Sequence, residues 1–188
     1  KRVVRLFISP SKWLKDYLCQ SDYHAIQLPN PIEGTELKGT TKKNNHLLYV
    51  GAINENKGIF QFIEKFNDLH IDIKLDIIGR PQSKKDAQKL NELISANTNI
   101  HYLGEKSNED VLKFIHDSYC LVVPSLGLEN YPTTVLEGMV QKTLVVGSNR
   151  AGVAELIDNP LLEFDLDDRA SIHEVLQYAY DLDDKAYS

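Results

Sequence analysis

Two glutamates stand on either side of the start of a predicted helix. Glu129 and Glu137 have seven residues between them, and Pro132 lies where the helix should begin. Proline suits the first helical position because it has no amide hydrogen to leave unpaired there. The amides of Thr133 and Thr134 should then point out of the helix start, where they can donate to phosphate or hydroxyl oxygens. Carboxylates accept pairs of hydroxyl hydrogens, so this loop favours a ligand with both a phosphate and a polyol part.

A lysine in an earlier loop adds positive charge to a similar position. The segment Gly51–Gly58 follows a predicted strand, and Asn56 is a suitable N-cap for the helix after it. Lys57 would then lie in the first helical turn, where the helix dipole disfavours a cation by about 0.3–1 kcal/mol. A lysine fits there if an anion such as phosphate joins it. The alternative is a solvated lysine on a polar loop, just as each glutamate alone could be an ordinary surface residue.

Two further loops offer weaker candidates. Arg80 follows the second strand of the predicted sheet, between Gly79 and Pro81, and brings one guanidinium to the same edge. The segment Gly147–Glu155 places glycines between a strand and a helix. It could contact a ligand, or it could be a tight turn that packs against the sheet. Both interpretations stay open at the level of the sequence.

The elements that hold these loops alternate regularly between short apolar runs and amphipathic segments of helical length. The apolar runs are continuous rather than alternating between apolar and polar residues, which indicates strands buried on both faces. The sequence therefore predicts an α/β fold, a doubly wound parallel sheet whose ligands bind at the carboxyl ends of the strands. The predicted strands are Leu47–Val50, Leu75–Ile78, Ile100–Leu103, Cys120–Val123, Thr143–Val146 and Leu161–Phe164, and the predicted helices cover 58–68, 83–97, 108–117, 133–141, 151–157 and 170–180.

The beginning of the chain has a different pattern. Val3–Ile8 is a β-branched and aromatic run that predicts a strand, and Lys12–Cys19 has helical periodicity after a Ser-Pro-Ser turn. Leu28–Pro31 contains two prolines, which argue against a helix or a central strand and indicate a stiff linker. The polar stretch Ile32–Asn45 follows as an expected exposed connection. The only methionine is Met139, so we expect the chain to be a piece of a longer polypeptide.

Composition and short motifs argue against several classes of function. The 188 residues carry 21 Lys and Arg against 27 Asp and Glu, a net charge of −6 that disfavours nucleic-acid binding. No apolar run reaches the roughly 18 residues that span a bilayer, so no membrane segment is predicted and a cytoplasmic location is expected. Cys19 and Cys120 have no paired or zinc-like spacing and are predicted to be reduced and buried. The sequence lacks GxGxxG and P-loop motifs, which disfavours a dinucleotide-dependent hydride transferase and a P-loop phosphotransferase.

The loop with the two glutamates resembles the E-x7-E motif of retaining glycosyltransferases of the GT-B fold, family 4 type. Its context reads Pro-Ser-x-x-x-Glu-x-aromatic-Pro-x-x-x-Leu-Glu-Gly-Met. The resemblance runs from about Leu47 to Phe164. The further landmarks of that family, in its order, are Tyr-Val-Gly at 49–51 with Lys-Gly at 57–58, Ile-Ile-Gly at 77–79, Tyr-Leu-Gly at 102–104 and Gly-Val-Ala-Glu-Leu-Ile at 152–157.

The resemblance also implies a division of the chain. Residues 1–31 are similar to the end of the first domain of such enzymes and the interdomain hinge, through Phe-Ile-Ser-Pro-Ser-Lys-Trp-Leu and Leu-Pro-Asn-Pro-Ile-Glu. Residues 32–188 would then form the nucleotide-sugar (donor) binding domain, the C-terminal half of a GT-B glycosyltransferase. Most of the first domain, which binds a glycan or lipid-linked acceptor, would lie outside this chain. We therefore expect the isolated chain to bind the donor but to turn over poorly or not at all.

The activity that the resemblance implies is transfer of a hexose from UDP- or GDP-hexose with retention of anomeric configuration, without a metal or another cofactor. Lys57 would neutralise the leaving diphosphate and Glu129 would contact hexose hydroxyls, which makes these two the predicted catalytic residues. Glu137 would hold the ribose hydroxyls, and the backbone from Asn130 to Thr134 would hold hexose and diphosphate. The donor-binding residues carried over are Gly51, Lys57, Arg80, Glu129, Asn130, Tyr131, Pro132, Thr133, Thr134 and Glu137.

One departure from the family pattern keeps alternatives open. The family usually has an arginine directly after the first glycine, and here that residue is Ala52, although Arg80 could replace it in space. Ala52 motivates a non-catalytic nucleotide-sugar binding module as the alternative function, with a nucleotide-sugar epimerase of related fold as a third. Such transferases usually serve polysaccharide or glycolipid assembly, so the complete protein could work at the inner face of the membrane.

Overall fold

The computed structural model of the chain describes residues 4–32, 37, 45–69 and 73–186, with side chains as far as residue 182. Its main element is a six-stranded parallel sheet with strand order β5-β4-β3-β6-β7-β8. The predicted doubly wound α/β fold is therefore confirmed. The strands of this sheet are β3 (His46–Val50), β4 (Lys74–Ile78), β5 (Ile100–Gly104), β6 (Cys120–Val123), β7 (Leu144–Ser148) and β8 (Glu163–Phe164).

Helices connect the strands and cover both faces of the sheet. Serine N-caps begin three helices, since Ser11, Ser83 and Ser107 each accept a hydrogen bond from the amide three residues later. The helices are α1 (Lys12–Gln20), α2 (Ile59–Asn67), α3 (Lys84–Ser95), α4 (Asn108–Asp117), α5 (Thr133–Val140), α6 (Ala151–Ile157) and α7 (Arg169–Ala186).

Alternate residues of the strands supply two separate hydrophobic clusters. Leu47 of β3 belongs to one cluster together with residues of α2, α3 and α7, whereas its neighbour Leu48 belongs to the other, together with residues of α4, α5 and α6. Successive side chains of a strand point to opposite faces, so continuous apolar strands fill both clusters. This packing explains why the strand runs of the sequence contain so few polar residues.

The strand order reverses between β3 and β6, which are hydrogen-bonded neighbours in the middle of the sheet. The chain moves outward from β3 to β4 and β5 and then returns to place β6 on the other side of β3. The loops that follow β3 and β6 therefore leave the sheet in opposite directions. The crevice between such loops is the usual ligand site of an open parallel sheet.

The beginning of the chain forms a small separate sheet. The parallel strands β1 (Phe7–Ser9) and β2 (Ala25–Gln27) flank α1, and β2 is an element that the sequence analysis did not predict. Leu6, Ile8, Ile26 and Leu28 are exposed along these strands. Parallel strands are normally covered on both faces, so this exposed apolar face accords with the predicted end of a first domain, and the division at residue 31 stays a prediction.

Three expectations differ from the observed fold. Strand β1 covers Phe7–Ser9 rather than the predicted Val3–Ile8, and residues 4–6 before it are irregular. Cys19 is exposed near the end of α1 rather than buried, whereas Cys120 is buried in β6 as predicted. The final predicted strand is shorter than expected, because Pro160–Leu162 forms a 3₁₀ turn before the two residues of β8. Leu28–Pro31 is irregular and exposed, and the predicted connection over 32–45 falls mostly on 33–36 and 38–44, outside the described residues. In the described part of the chain, no helix combines the length and apolar character needed to cross a membrane.

Candidate functional site

The loops after β3, β4 and β6 meet at one edge of the sheet. These three strands are neighbours and parallel, so their carboxyl ends lie side by side. The amides of Leu126 and Gly127 both donate to the carbonyl of Asn56, at 3.0 and 2.8 Å, which joins the loop after β6 to the loop after β3. The amide of Ile53 donates to the carbonyl of Arg80 at 3.0 Å, which joins the loop after β4 to the same group.

Lys57 and Glu129 are in direct contact across these loops. The ammonium Nζ of Lys57 lies 2.6 Å from Oε1 of Glu129, and the hydroxyl of the buried Ser125 donates to the same oxygen at 3.3 Å. Both charged side chains are partly accessible to solvent. The two predicted catalytic residues thus form one charged cluster at the crevice between β3 and β6.

The local structure around Lys57 differs from the prediction. Asn56 does not cap α2, whose N-cap is Gly58, and Asn54 instead caps the 3₁₀ turn before it, with its side chain accepting from the amide of Lys57 at 3.0 Å. Glu55–Lys57 is a 3₁₀ turn, and α2 begins only at Ile59. Lys57 therefore precedes the α-helix instead of lying in its first turn. The reason is Gly58, whose left-handed backbone with φ of 67° redirects the chain between the two elements.

Gly58 also allows the two loops to approach. A Cβ atom added to this residue would lie 1.8 Å from the carbonyl oxygen of Pro124, at the start of the loop after β6. Any other residue would have to push the loops apart. The glycine thus brings the backbone of Lys57 close enough for its side chain to reach Glu129.

Helix α5 begins at Thr133, as the predicted range 133–141 has it, but Pro132 precedes the helix instead of being its first residue. Pro132 is the N-cap, with φ of −66° and ψ of 115°, and Thr133 is the first helical residue. The φ of Pro132 is that of a helix, but its ψ is extended, because the chain still has to turn from the loop into the helix at this residue. The amides of Thr133 and Thr134 belong to the first turn, which has no carbonyl one turn earlier. They remain suitable donors to a ligand oxygen.

Glu137 lies on the exposed side of α5, one turn after Thr133, and is half-buried. Burial raises the pKa of its carboxyl group. Within the described residues, neither Lys57 nor Arg80 forms an ion pair with it. A carboxylate in this setting lacks water on one side and favours hydroxyl donors from a ligand.

A buried tyrosine supports the loop after β3. The hydroxyl of Tyr49 donates to the carbonyl of Ala52 at 2.7 Å. Burial, and secondarily the negative charge of Glu129, raise the pKa of Tyr49, so it stays neutral and continues to donate. A Cβ atom at Gly51 would lie 3.1 Å from the same hydroxyl, so this glycine leaves room for the contact. The sequence analysis used Tyr49 only as a landmark and missed this role.

The glycine-containing segment Gly147–Glu155 contacts the backbone of the loop that carries Glu129. The amide of Gly152 in α6 donates to the carbonyl of Glu129 at 2.9 Å, and a Cβ atom there would lie 2.1 Å from the carbonyl oxygen of Asn130. At Gly147, a Cβ atom would instead meet Val153 at 2.6 Å. Packing therefore explains both glycines, and Gly152 fixes the backbone beside Glu129.

The remaining predicted residues stand as follows. Arg80 lies at the correct edge of the sheet, but its side chain is exposed and, in the part of the chain that the structure describes, joins neither Lys57 nor Glu129. Tyr131 is a half-buried residue of the loop between Asn130 and the start of α5. The described residues contain no group of three or more His, Cys, Asp or Glu side chains arranged to hold a metal ion.

Known proteins are similar to this chain in sequence and in fold. The sequence model of the family described as "Glycosyl transferases group 1" matches residues 36–176. The chain is 26% identical over 121 residues to the lipopolysaccharide 1,2-N-acetylglucosaminetransferase of Salmonella typhimurium, which covers 59% of this chain and 32% of that protein. It is 28% identical over 152 residues to an uncharacterized glycosyltransferase of Methanocaldococcus jannaschii, which covers 80% of this chain and 42% of that one. The crystal structure of Anabaena HepE in complex with UDP matches with a TM-score of 0.81 and 14% identity, over 96% of this chain and 55% of that one.

These comparisons differ in what they establish. The structural match confirms the fold, a parallel sheet with flanking helices as in GT-B glycosyltransferases. The chain spans between 32% and 42% of the length of the two sequence relatives, so their whole activities do not transfer to it directly. The family model, by contrast, matches most of the chain, including every loop of the site. The chain therefore belongs to the group 1 family of glycosyl transferases.

Proposed function

We propose that this chain is the donor-binding part of a retaining hexosyltransferase of the family 4 type, which uses UDP- or GDP-hexose and transfers the sugar to a glycan or lipid-linked acceptor without a metal. The observation that carries the proposal is the contact of Lys57 with Glu129 at 2.6 Å. It joins a cation suited to a diphosphate and a carboxylate suited to sugar hydroxyls, beside the first turn of α5. UDP in the related Anabaena structure supports a nucleoside diphosphate as the ligand.

In this proposal, each part of the donor meets a group of matching chemistry. The diphosphate binds Lys57 and the amides at the start of α5, where the helix dipole favours negative charge. The hexose hydroxyls donate to Glu129, and the ribose hydroxyls donate to Glu137, whose carboxylate is half-buried on α5. Arg80 is the candidate for the second cation that Ala52 does not supply, because both follow strands at the same edge.

The proposed chemistry is electrostatic. The bond between the anomeric carbon and the diphosphate oxygen breaks, the hexosyl group passes to an acceptor hydroxyl oxygen, and that hydroxyl releases its proton to solvent. Negative charge grows on the departing diphosphate in the transition state. Lys57 and the α5 amides are already in place where this charge develops, so little reorganisation is needed during the reaction.

The donor domain alone supplies one wall of the reaction site. The first domain would position the acceptor, and orientation of the two reactants accounts for a large share of catalysis in transfer reactions. We therefore expect the 188-residue chain to bind the donor and to transfer sugar poorly or not at all. Measurable transfer by the isolated chain would contradict this part of the proposal.

A panel of sugar nucleotides tests the donor site. The melting temperature of the chain is measured with uridine, guanosine and adenosine diphosphate sugars, and each hit is followed by calorimetric titration. A ligand at about 100 times its dissociation constant stabilises by about 2.7 kcal/mol, which shifts the melting temperature by several degrees. An unchanged melting temperature with every donor would contradict the proposal.

Incubation of the full-length protein with a nucleotide sugar separates the three functions. Nucleoside diphosphate released only in the presence of an acceptor supports the transferase. Binding without turnover supports the non-catalytic module that Ala52 motivates, and conversion of the donor to an epimer supports the epimerase.

A further inference from the structure

The N-terminus of α1 is held by a carboxylate from a distant part of the chain. The amides of Lys12 and Trp13 donate to Oε1 and Oε2 of Glu155, both at 2.7 Å, across 143 and 142 residues of sequence. The Ser11 side chain accepts from the next amide, that of Leu14, at 3.1 Å. A carboxylate at this end of a helix interacts favourably with unpaired amides and with the helix dipole. Glu155 thus fastens α1 to α6.

The same helix cap reaches the candidate donor loop. The hydroxyl of Ser11, which is buried, donates to Oδ1 of Asn130. Because an amide oxygen can only accept, the hydroxyl hydrogen of Ser11 is the one in this contact, while its oxygen accepts the amide of Leu14. The side-chain amide of Asn130 is therefore held with its oxygen toward Ser11, which leaves its NH₂ group as the end that can donate to a ligand.

A third contact closes the arrangement. Gly152, three residues before Glu155 in α6, donates its amide to the carbonyl of Glu129 and lies against the carbonyl of Asn130. The first turn of α6 thus fixes the backbone of the loop, while Glu155 fixes α1 and Ser11 fixes the side chain of Asn130. We call these three contacts the α1 clamp.

We propose that Glu155 is a positioning residue for donor binding. By fixing the start of α1, it holds Ser11 where it orients the amide of Asn130, so that the asparagine NH₂ group can donate to the sugar or diphosphate of the donor. The ligand part of this inference rests on the function proposed above. In the predicted division of the chain, α1 belongs to the first domain, so the clamp also ties the position of that domain to the donor loop.

The clamp itself is tested on the ligand-free chain by NMR. In Glu155→Gln, which keeps the side-chain shape, and in Glu155→Ala, hydrogen exchange of the Lys12 and Trp13 amides should accelerate by roughly tenfold or more. The side-chain NH₂ resonances of Asn130 should shift or broaden in both variants. Glu174→Gln, at an exposed position of α7, is the matched control and should change neither signal. Unchanged exchange, or an unchanged Asn130 resonance, in a folded Glu155 variant would overturn the proposal.

A double-mutant cycle tests the connection to the donor. Glu155→Gln and Asn130→Ala should each weaken binding of the sugar nucleotide selected from the panel by roughly five- to tenfold. If Glu155 acts through Asn130, the double variant should bind as weakly as Asn130→Ala alone. Additive losses would overturn the positioning role, because a purely structural effect of Glu155 does not depend on the Asn130 side chain.

The two tests separate this inference from the proposed function. If the wild-type chain binds none of the sugar nucleotides, the proposed function fails, and the NMR signals of Lys12, Trp13 and Asn130 still decide whether the clamp exists. If the wild type binds a donor and the clamp signals do not respond to Glu155, the positioning role fails while the donor site stands.

Discussion

The ammonium group of Lys57 lies 2.6 Å from a carboxylate oxygen of Glu129, so the two side chains neutralise each other in the ligand-free chain. Their side chains are 34% and 22% exposed, and ion pairs in such partly solvated positions contribute about 0.2–1 kcal/mol. A diphosphate must compete with Glu129 for Lys57, but the competition is weak enough for a ligand with two phosphates to win. The ion pair therefore fixes the position of the Lys57 side chain and still allows it to bind a diphosphate.

Glu129→Gln should therefore have opposite effects on two ligands. It frees Lys57, so the free nucleoside diphosphate should bind about two- to fivefold more tightly, in line with the strength of a partly exposed ion pair. It replaces the carboxylate that accepts from the hexose hydroxyls with an amide oxygen, a weaker acceptor, so the sugar nucleotide should lose affinity relative to the nucleoside diphosphate. Calorimetric titration of both ligands measures the two effects. Equal changes for both ligands would contradict the assignment of Glu129 to the hexose.

Lys57→Met should weaken binding of any nucleoside diphosphate. Charge-assisted hydrogen bonds contribute about 1.5–3 kcal/mol, so the affinity should fall by roughly ten- to a hundredfold. The measurement is titration at low and high salt, and the salt dependence of the wild type should be reduced in the variant.

Lys113→Met is the matched control for this change. Lys113 is an exposed lysine of α4 that pairs with Glu109 at 2.7 Å, so its loss also removes a lysine–glutamate pair, but away from the loops of the site. The control should bind as the wild type does. A Lys57→Met variant with wild-type affinity would show that the diphosphate does not bind in the crevice between β3 and β6.

The layers of the fold were predictable because they depend on burial. Strands β3, β4 and β6 are covered on both faces, and their mostly apolar residues mark them in the sequence within one or two residues. Strand β2 gave no such signal, since it has three residues and two of them are exposed. The exposure of Cys19 was missed for a similar reason, because its helix in the first part of the chain buries none of its residues.

The loops of the site were predictable, but their internal geometry was not. A glycine directly after a buried strand points to the correct edge of the sheet, as Gly51 did, and Lys57 lies further along the same loop. Asn56 does not cap α2 because the left-handed Gly58 begins that helix, and Gly58 lies too close to the Pro124 carbonyl of the loop after β6 for any other residue to fit. The contact of Glu155 with α1 joins residues 143 positions apart, so no local sequence pattern predicts it.

Glu137→Gln should change stability in a pH-dependent way. Burial raises the pKa of Glu137 above its ordinary value of 4.5, so the folded state holds this proton more tightly than the unfolded state does. The stability of the wild type therefore falls as the pH rises through the window above that value. The glutamine variant does not titrate, so it should be more stable than the wild type near neutral pH, with a difference that shrinks as the pH falls. Urea unfolding at several pH values measures this difference.

The same substitution should harm ligand binding. Loss of the carboxylate should weaken nucleotide affinity by roughly tenfold near neutral pH, because an amide is a poorer acceptor for two ribose hydroxyls. Glu174→Gln on α7 is the control for both measurements and should leave stability and affinity unchanged. A Glu137→Gln variant that gains stability and keeps full affinity would show that the buried carboxylate has no part in nucleotide binding.

Gly58→Ala should be more harmful than the same change at another left-handed glycine. Gly58 and Gly104 both have positive φ, of 67° and 75°, but only at Gly58 would the new methyl group meet other atoms, 1.8 Å from the Pro124 carbonyl. Backbone strain alone destabilises by about 1–2 kcal/mol, and forcing the loops apart should raise the loss at Gly58 to about 2–4 kcal/mol. Urea unfolding of the two variants compares the losses. Because the methyl group separates the loop of Lys57 from that of Glu129, Gly58→Ala should also weaken nucleotide binding in whatever fraction stays folded. Equal destabilisation of the two variants would mean that the close approach of Gly58 to Pro124 does not hold the loops together.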